Sequence, residues 1–308
     1  MSGYKDFLKT QPLTSTNLYQ IGSITKSFIA AIILQLESAY EPQFNINHKL
    51  SVYFPEYPQW GDITIKQLLN MTSGIPDYLA EEAYLKELAK NPSRLWRPVE
   101  QVNFVVNKPL LFVPGERWGY SNTNYILLDL LIKKLTGHSA EEEINYRFLR
   151  PDNANGLNLS YSQYNLDYPA HLYFKMVHGY RFGGNIGKFV PLKADVSLYN
   201  LSYAGAAGAM VSNTQDINQW VRALFSKDKI LPAKQLKELT SLVSTKSGKP
   251  IVQLNKNDPN GFGLGIGASY IETPVPELIF NFEGMTMGYR AQYIYIHQAR
   301  PDHFSHRQ

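Results

Sequence analysis

The 308-residue sequence contains no cysteine. This excludes disulfides, a thiolate nucleophile and cysteine-ligated metal sites, and leaves the redox compartment open. Charge is sparse as well, at 18% of residues with a formal net charge of +4. The basic residues are scattered and form no stripe that could follow phosphates, so no nucleic-acid partner is expected. No apolar run reaches the length of a membrane span. Met1-Ser2-Gly3-Tyr4-Lys5-Asp6 lacks the pattern of a secretory leader, so the compartment stays undetermined. The histidines, at 48, 138, 171, 178, 297, 303 and 306, form no close pair at ligand spacing. Neither a metal nor another cofactor is expected. Apolar residues are what the chain has in quantity: 44% of it, enough to bury a sizeable core in one large domain or two interleaved ones.

One apolar run carries chemistry at its start. Ser23 and Lys26 stand three residues apart, on one face of a helix, just before Phe28-Ile29-Ala30-Ala31-Ile32-Ile33-Leu34. A segment apolar on all sides is a buried helix. Its first turn offers unpaired N–H groups and the positive end of the dipole to Ser23. Lys26, forced into the same setting, loses part of its preference for the charged form and can take a proton from the serine. The same spacing recurs at Ser2/Lys5 and Ser226/Lys229. Neither of those precedes a buried helix, and both read as solvated pairs.

Apolar periodicity predicts helices at about 24–37, 64–71, 78–90, 98–107, 123–136 and 139–148, with Gly137 closing the fifth. Residues 150–200 read as irregular, with short strands near Val177–Tyr180 and Phe189–Leu192. Ser212-Asn213-Thr214-Gln215 has the form of a capping box before a helix at about 213–226, and Pro232 fits the first turn of one at about 232–243. Phe262–Ile271, Leu278–Phe282 and Tyr289–His297 read as strands of a short antiparallel meander. The expected class is α+β, helices packed on an antiparallel sheet, in one domain. Its α/β part would comprise 1–24 and 200–308, and its helical part 25–199.

Two further segments bear polar groups. Tyr120-Ser121-Asn122 follows a Pro114-Gly115 turn, and Asn122 is placed to cap the helix after it. Gly284-Met285-Thr286-Met287-Gly288-Tyr289 lies between two of the expected strands, where a backbone N–H can face a substrate carbonyl.

Together these pieces resemble the serine β-lactamase/penicillin-binding-protein-like superfamily, in its class C β-lactamase, esterase and D-amino-acid peptidase branch. The likeness runs through Tyr19-Gln20-Ile21-Gly22-Ser23-Ile24-Thr25-Lys26, Ile63–Pro76, Pro114–Tyr125, Ala204–Ser212 and Gly261–Gly265, and ends at Tyr289. Five segments in order are far more specific than any one. The resemblance implies a β-lactamase/transpeptidase-like fold and a serine hydrolase that acts, without a cofactor, on a small ester, amide or peptide through an acyl-serine. It implies Ser23 as nucleophile and Lys26 as its proton acceptor. Tyr120 would be a proton shuttle with a lysine-depressed pKa, and Asn122 would orient Lys26 and the substrate amide. The N–H groups of Ser23 and Met285 would form the oxyanion hole.

Three departures set further expectations. The third motif, usually Lys or His, then Thr or Ser, then Gly, is here Phe282-Glu283-Gly284. A carboxylate at Glu283 should repel a carboxylate-bearing substrate. Only 22 residues precede Ser23, where the family carries a helix and two strands, and the chain closes on a polar stretch, Arg300–Gln308. A chain cut at both ends is therefore expected, with a minimal three-stranded sheet whose open edge at 289–297 favours self-association. A catalytically impaired or non-catalytic remnant is the alternative to the enzyme.

Overall fold

The computed structural model describes residues 3–152, 155–164, 172, 174–272 and 277–296. Its centre is helix α1 (Thr25–Tyr40), whose residues from Phe28 to Leu34 are wholly buried. Each large side chain so enclosed contributes about 1.5–3 kcal/mol of apolar burial. Phe28 stacks on Trp220 at 3.7 Å between centroids, and the Trp220 indole N–H donates to Ser27 Oγ at 2.9 Å. These contacts fix both the depth and the rotation of α1, and with them the direction of Lys26.

Around α1 lie α2 (Ile65–Leu69), α3 (Glu82–Lys90), α4 (Pro98–Asn103), α5 (Thr123–Thr136), α6 (Ala140–Ile144), α7 (Thr214–Leu224) and α8 (Ala233–Leu239). Thr64 and Gln67 form a capping box at the start of α2, and Gly137 (φ 83°) closes α5 in the left-handed conformation. The expected helix at 78–90 is broken. Asp77 caps a separate 3-10 turn at Tyr78–Ala80, and α3 starts only after Glu81. The helix at 139–148 passes from α6 into a π-turn at Asn145–Leu149. The cap of α7 is Asn213, which accepts from Asp216 N–H at 2.9 Å. The Ser212 hydroxyl instead donates to the Asn213 carbonyl.

The larger sheet corrects the three-stranded expectation. Its six antiparallel strands run in the order β5-β4-β6-β7-β8-β9. They are β4 (Leu242–Ser244), β5 (Pro250–Ile251), β6 (Asn260–Phe262), β7 (Gly267–Ile271), β8 (Glu277–Met285) and β9 (Arg290–Ile296). The single strand expected over Phe262–Ile271 is two strands. Gly265 (φ 73°) turns the chain between them, and a Cβ there would meet the Lys26 carbonyl and the Tyr125 hydroxyl at 2.7 Å. A second, three-stranded sheet pairs β1 (Tyr19–Gln20) and β2 (Gln163–Tyr164) on either side of β3 (Met210–Ser212). The strands expected near 177–180 and 189–192 do not form. Tyr180 makes one isolated bridge, to Asp195.

β9 ends the order of the larger sheet. Ile294 and Ile296 face solvent at 59% and 49% exposure, while Tyr295 stacks on Phe225 at 4.6 Å. His297, the stretch 300–308 and the histidines at 171, 303 and 306 lie outside the described residues. Among the described residues no helix is long and apolar enough to cross a membrane. No group of three potential metal ligands is found among them.

Candidate active site

Ser23 sits in a 3-10 turn (Gly22–Ile24) that leads directly into α1. Gly22 takes φ 51°, and a side chain on it would meet Met285 N at 2.7 Å. Gly284 is tighter still, since a Cβ there would lie 1.7 Å from the Ile21 carbonyl oxygen and 3.0 Å from Ser23 N. Glycine at both positions lets the end of β8 lie backbone to backbone against the Ser23 turn.

The register decides which way that backbone faces. Thr286 N–H donates to the Tyr289 carbonyl at 3.0 Å, and Met285 pairs with Arg290. Antiparallel pairs alternate between bonded and non-bonded, so Met285 occupies a non-bonded pair and directs its N–H away from β9, toward Gly22 and Ser23.

Tyr120 and Asn122 reach the same point from a loop fastened to the segment 71–77. Gly119 N–H donates to Met71 O at 2.9 Å, Thr123 Oγ1 to Pro76 O at 2.6 Å, and Asn122 N–H to Asp77 Oδ1 at 3.2 Å. The structure thereby brings Ser23, Lys26, Tyr120 and Asn122 into one hydrogen-bonded cluster. Ser23 Oγ lies 2.6 Å from the Tyr120 hydroxyl, and Lys26 Nζ lies 3.0 Å from Ser23 Oγ. Lys26 Nζ also donates to Asn122 Oδ1 at 2.8 Å and to the Ala207 carbonyl at 2.6 Å. Asn122 caps α5 through its backbone only, because its side chain is committed to this cluster.

The electrostatics follow from burial. Lys26 is fully buried, and desolvation pulls its pKa down to about 7, with Asp77 opposing the shift. A neutral amine has two N–H donors and one lone pair. Asn122 Oδ1 and Ala207 O can only accept, so the donors go there and the lone pair is left for the Ser23 hydroxyl. Asp77 makes this arrangement unambiguous. Its Oδ2 accepts from Asn122 Nδ2 at 3.0 Å, which fixes the amide with its oxygen toward Lys26. Burial raises the pKa of Asp77 itself, against hydrogen bonds from Leu79 and Asn122. The expected acidification of Tyr120 is not found. Burial pushes its hydroxyl well up, outweighing the hydrogen bond from Ser23, because desolvating a phenolate costs more than one bond returns. Tyr120 is therefore a neutral hydroxyl at ordinary pH.

The cluster opens into a cleft of about 610 Å³. Ser23, Asp77, Tyr120 and Asn122 line it, together with apolar Leu79, Leu85, Leu88 and Ile186 and with Glu283, Met285 and Arg290 of the β8–β9 hairpin. Phe282 does not line it. Its ring packs edge-on against Phe262 at 5.4 Å. Glu283 is not a free carboxylate, for its Oε1 accepts from Arg290 Nε at 2.6 Å and lies 2.5 Å from Arg290 Nη2.

The sequence model described as Beta-lactamase matches residues 1–300. The chain belongs to the beta-lactamase family. Within that serine-hydrolase family it is similar to Protein flp of Staphylococcus aureus (strain MW2), 29% identical over 256 residues, 80% of this chain and 47% of that protein. It is also similar to penicillin-binding protein 4* of Bacillus subtilis (strain 168), 28% identical over 273 residues, 85% of this chain and 55% of that protein. The chain thus spans about half the length of the curated relatives it matches. Among solved structures, a D-stereospecific amidohydrolase from Streptomyces sp. superposes with a TM-score of 0.74 at 27% identity, covering 90% of this chain and 78% of that one. A D-amino acid amidase from Ochrobactrum anthropi SV3, complexed with L-phenylalanine amide, gives 0.71 at 25% identity, covering 95% and 80%. The α+β, β-lactamase/transpeptidase-like fold is that of these neighbours.

Sequence reasoning missed two members of this beta-lactamase-family site. Asp77 directly follows a motif segment ending at Pro76, yet a lone aspartate in a loop has no spacing to mark it. Arg290 lies beyond the third motif and meets Glu283 only through the β8–β9 register.

Proposed function

We propose that the chain is a serine hydrolase that cleaves an ester or amide through an acyl-serine intermediate at Ser23. The observation that carries this reading is the forced lone pair of Lys26. Two pure acceptors take both its N–H groups, and the Ser23 hydroxyl is the proton left to meet. Lys26 removes that proton as Oγ attacks the substrate carbonyl carbon. The carbonyl π pair moves onto oxygen, between the N–H groups of Ser23 and Met285. Collapse expels the leaving group, which takes the proton Lys26 removed from Ser23, passed on through the Tyr120 hydroxyl in contact with the same Oγ, so that Lys26 is neutral again. Tyr120 remains a neutral donor throughout, which suits its raised pKa. Water then repeats the sequence on the acyl-serine, with Lys26 again as base.

The cleft suits a substrate with an apolar acyl or leaving group against Leu85 and Leu88. The amidohydrolase and amidase likenesses support amides as well as esters. A second reading, a fold that binds without turning over, rests on Phe282. Its ring stands where the family's third motif carries a cation, and it packs edge-on against Phe262 without lining the cleft.

Acid quenching during turnover of p-nitrophenyl acetate tests the first reading. The protein should carry one acetyl group, released more slowly than p-nitrophenolate forms. Product release with no acetylated protein at any time point contradicts it.

A further inference from the structure

We infer that Arg181 is the seat of an anion site behind one wall of the Ser23 cleft, and that a small inorganic oxyanion such as phosphate binds there and stabilises the fold. Arg181 is only 9% exposed. It lies in a narrow arm of the chain, where its N–H donates to the Ala194 carbonyl at 2.8 Å and its carbonyl accepts from Lys193 N–H at 2.9 Å. The next residues, Phe182 to Ile186, line the cleft, while Arg181 itself does not. Its guanidinium lies against the same turn, for a Cβ on Gly187 would be 2.8 Å from Nη1 and 3.5 Å from Cζ. Glycine at 187 leaves the group its room.

A buried cation is costly unless a counter-charge meets it. Glu143 meets Arg147 in that way, at 2.6 Å. Arg181 has no carboxylate partner among the described residues. Its Nη1 has only the Gly183 carbonyl, at 3.5 Å, the outer limit of a hydrogen bond. Nε is sealed from solvent and donates to nothing, and no acceptor among the described residues meets Nη2. Buried polar groups are nearly always paired, so this edge of the guanidinium calls for a partner. Nε–H and Nη2–H together form the fork that takes two oxygens of one oxyanion. The carboxylates that reach the arm are already committed. Asp195 Oδ2 lies 2.6 Å from His178 Nδ1, and its Oδ1 accepts from the Ser197 hydroxyl. Glu82 accepts from Lys188 Nζ at 2.7 Å. From 181 to 194 the chain carries Arg181, Lys188 and Lys193 and no acidic residue, a balance that draws an anion from solution.

Thermal melting and calorimetry with inorganic phosphate test this, against chloride at matched ionic strength. Saturating phosphate should raise the melting temperature of the wild type by about 4 °C, the scale for a chain of this size at about 100 times Kd. Arg181→Met keeps the length of the buried stem and removes the charge. It should bind no phosphate and show no shift. Gly187→Ala keeps every charge but crowds Nη1, so it should weaken phosphate binding about tenfold or more, the scale of a charged hydrogen bond. Arg290→Gln, which removes the exposed cation of the cleft, should bind phosphate as the wild type does. A wild type that phosphate does not stabilise beyond chloride overturns the inference, as does a shift that Arg181→Met and Gly187→Ala both keep. Binding lost in Arg290→Gln and kept in Arg181→Met also overturns it, and places the anion in the cleft. None of these measurements needs turnover, so each outcome stands whether or not Ser23 forms an acyl-enzyme.

Discussion

Replacing Ser23 by alanine should lower kcat for p-nitrophenyl ester hydrolysis by about 10⁴–10⁶-fold, since nucleophile and base act as one unit and removal of either disables both. The fold should survive the change. Ser23 is half-buried, and its turn is set by Gly22, Gly284 and the packing of α1, not by its hydroxyl. Circular dichroism of the variant should match the wild type, which separates lost chemistry from lost structure. A Ser23→Ala protein that hydrolyses the ester at the wild-type rate would place the reaction elsewhere.

The second large effect concerns Lys26 and pH. Burial lowers its pKa to about 7, and in the proposed mechanism the neutral form is the base. The sign follows directly. Below about 7 the amine gains a proton and loses its lone pair, so log kcat/KM should fall by one unit per pH unit, and above it the profile should level off. Lys26→Arg, charged at every accessible pH, should be inactive throughout. Asp77→Asn identifies the titrating group. Asp77 raises the Lys26 pKa through its charge, so its loss should move the midpoint to lower pH. It should also lower the plateau, because Asn122 is no longer held with its oxygen toward Lys26. Steady-state kinetics between pH 5 and 9 read both effects. A profile flat from pH 5 upward would mean that Lys26 is not the proton acceptor.

The parts of this site that the sequence made legible are those with local context. Ser23 and Lys26 stood out because a wholly apolar helix follows them, and the same burial both orients Lys26 and lowers its pKa. Tyr120 and Asn122 were visible through their place before α5, but their hydrogen bonds were not. Asn122 looked like a helix cap, and only the fold shows its side chain drawn off by Lys26 and Asp77. The helices with long apolar faces were readable. β4 and β5, at three and two residues, are too short for an alternation to register. The turn between β6 and β7 was hidden in a glycine-rich apolar run that reads as continuous strand until φ at Gly265 is known. Glu283 illustrates a different limit. Its charge was plain in the sequence, yet its effect depends on Arg290, seven residues on and across a hairpin, and no linear spacing encodes that register.

The central claim, that Ser23 is an activated nucleophile, is tested most directly by a fluorophosphonate probe, which reacts with a serine only where a base and an oxyanion site serve it. Peptide mapping by mass spectrometry should find the phosphonyl group on the peptide containing Ser23, with labelling suppressed in Lys26→Arg and slowed below about pH 7 as Lys26 protonates. An unlabelled protein, or one labelled on another residue at the same rate in wild type and Lys26→Arg, would contradict the account and leave a fold that binds without an acyl-serine.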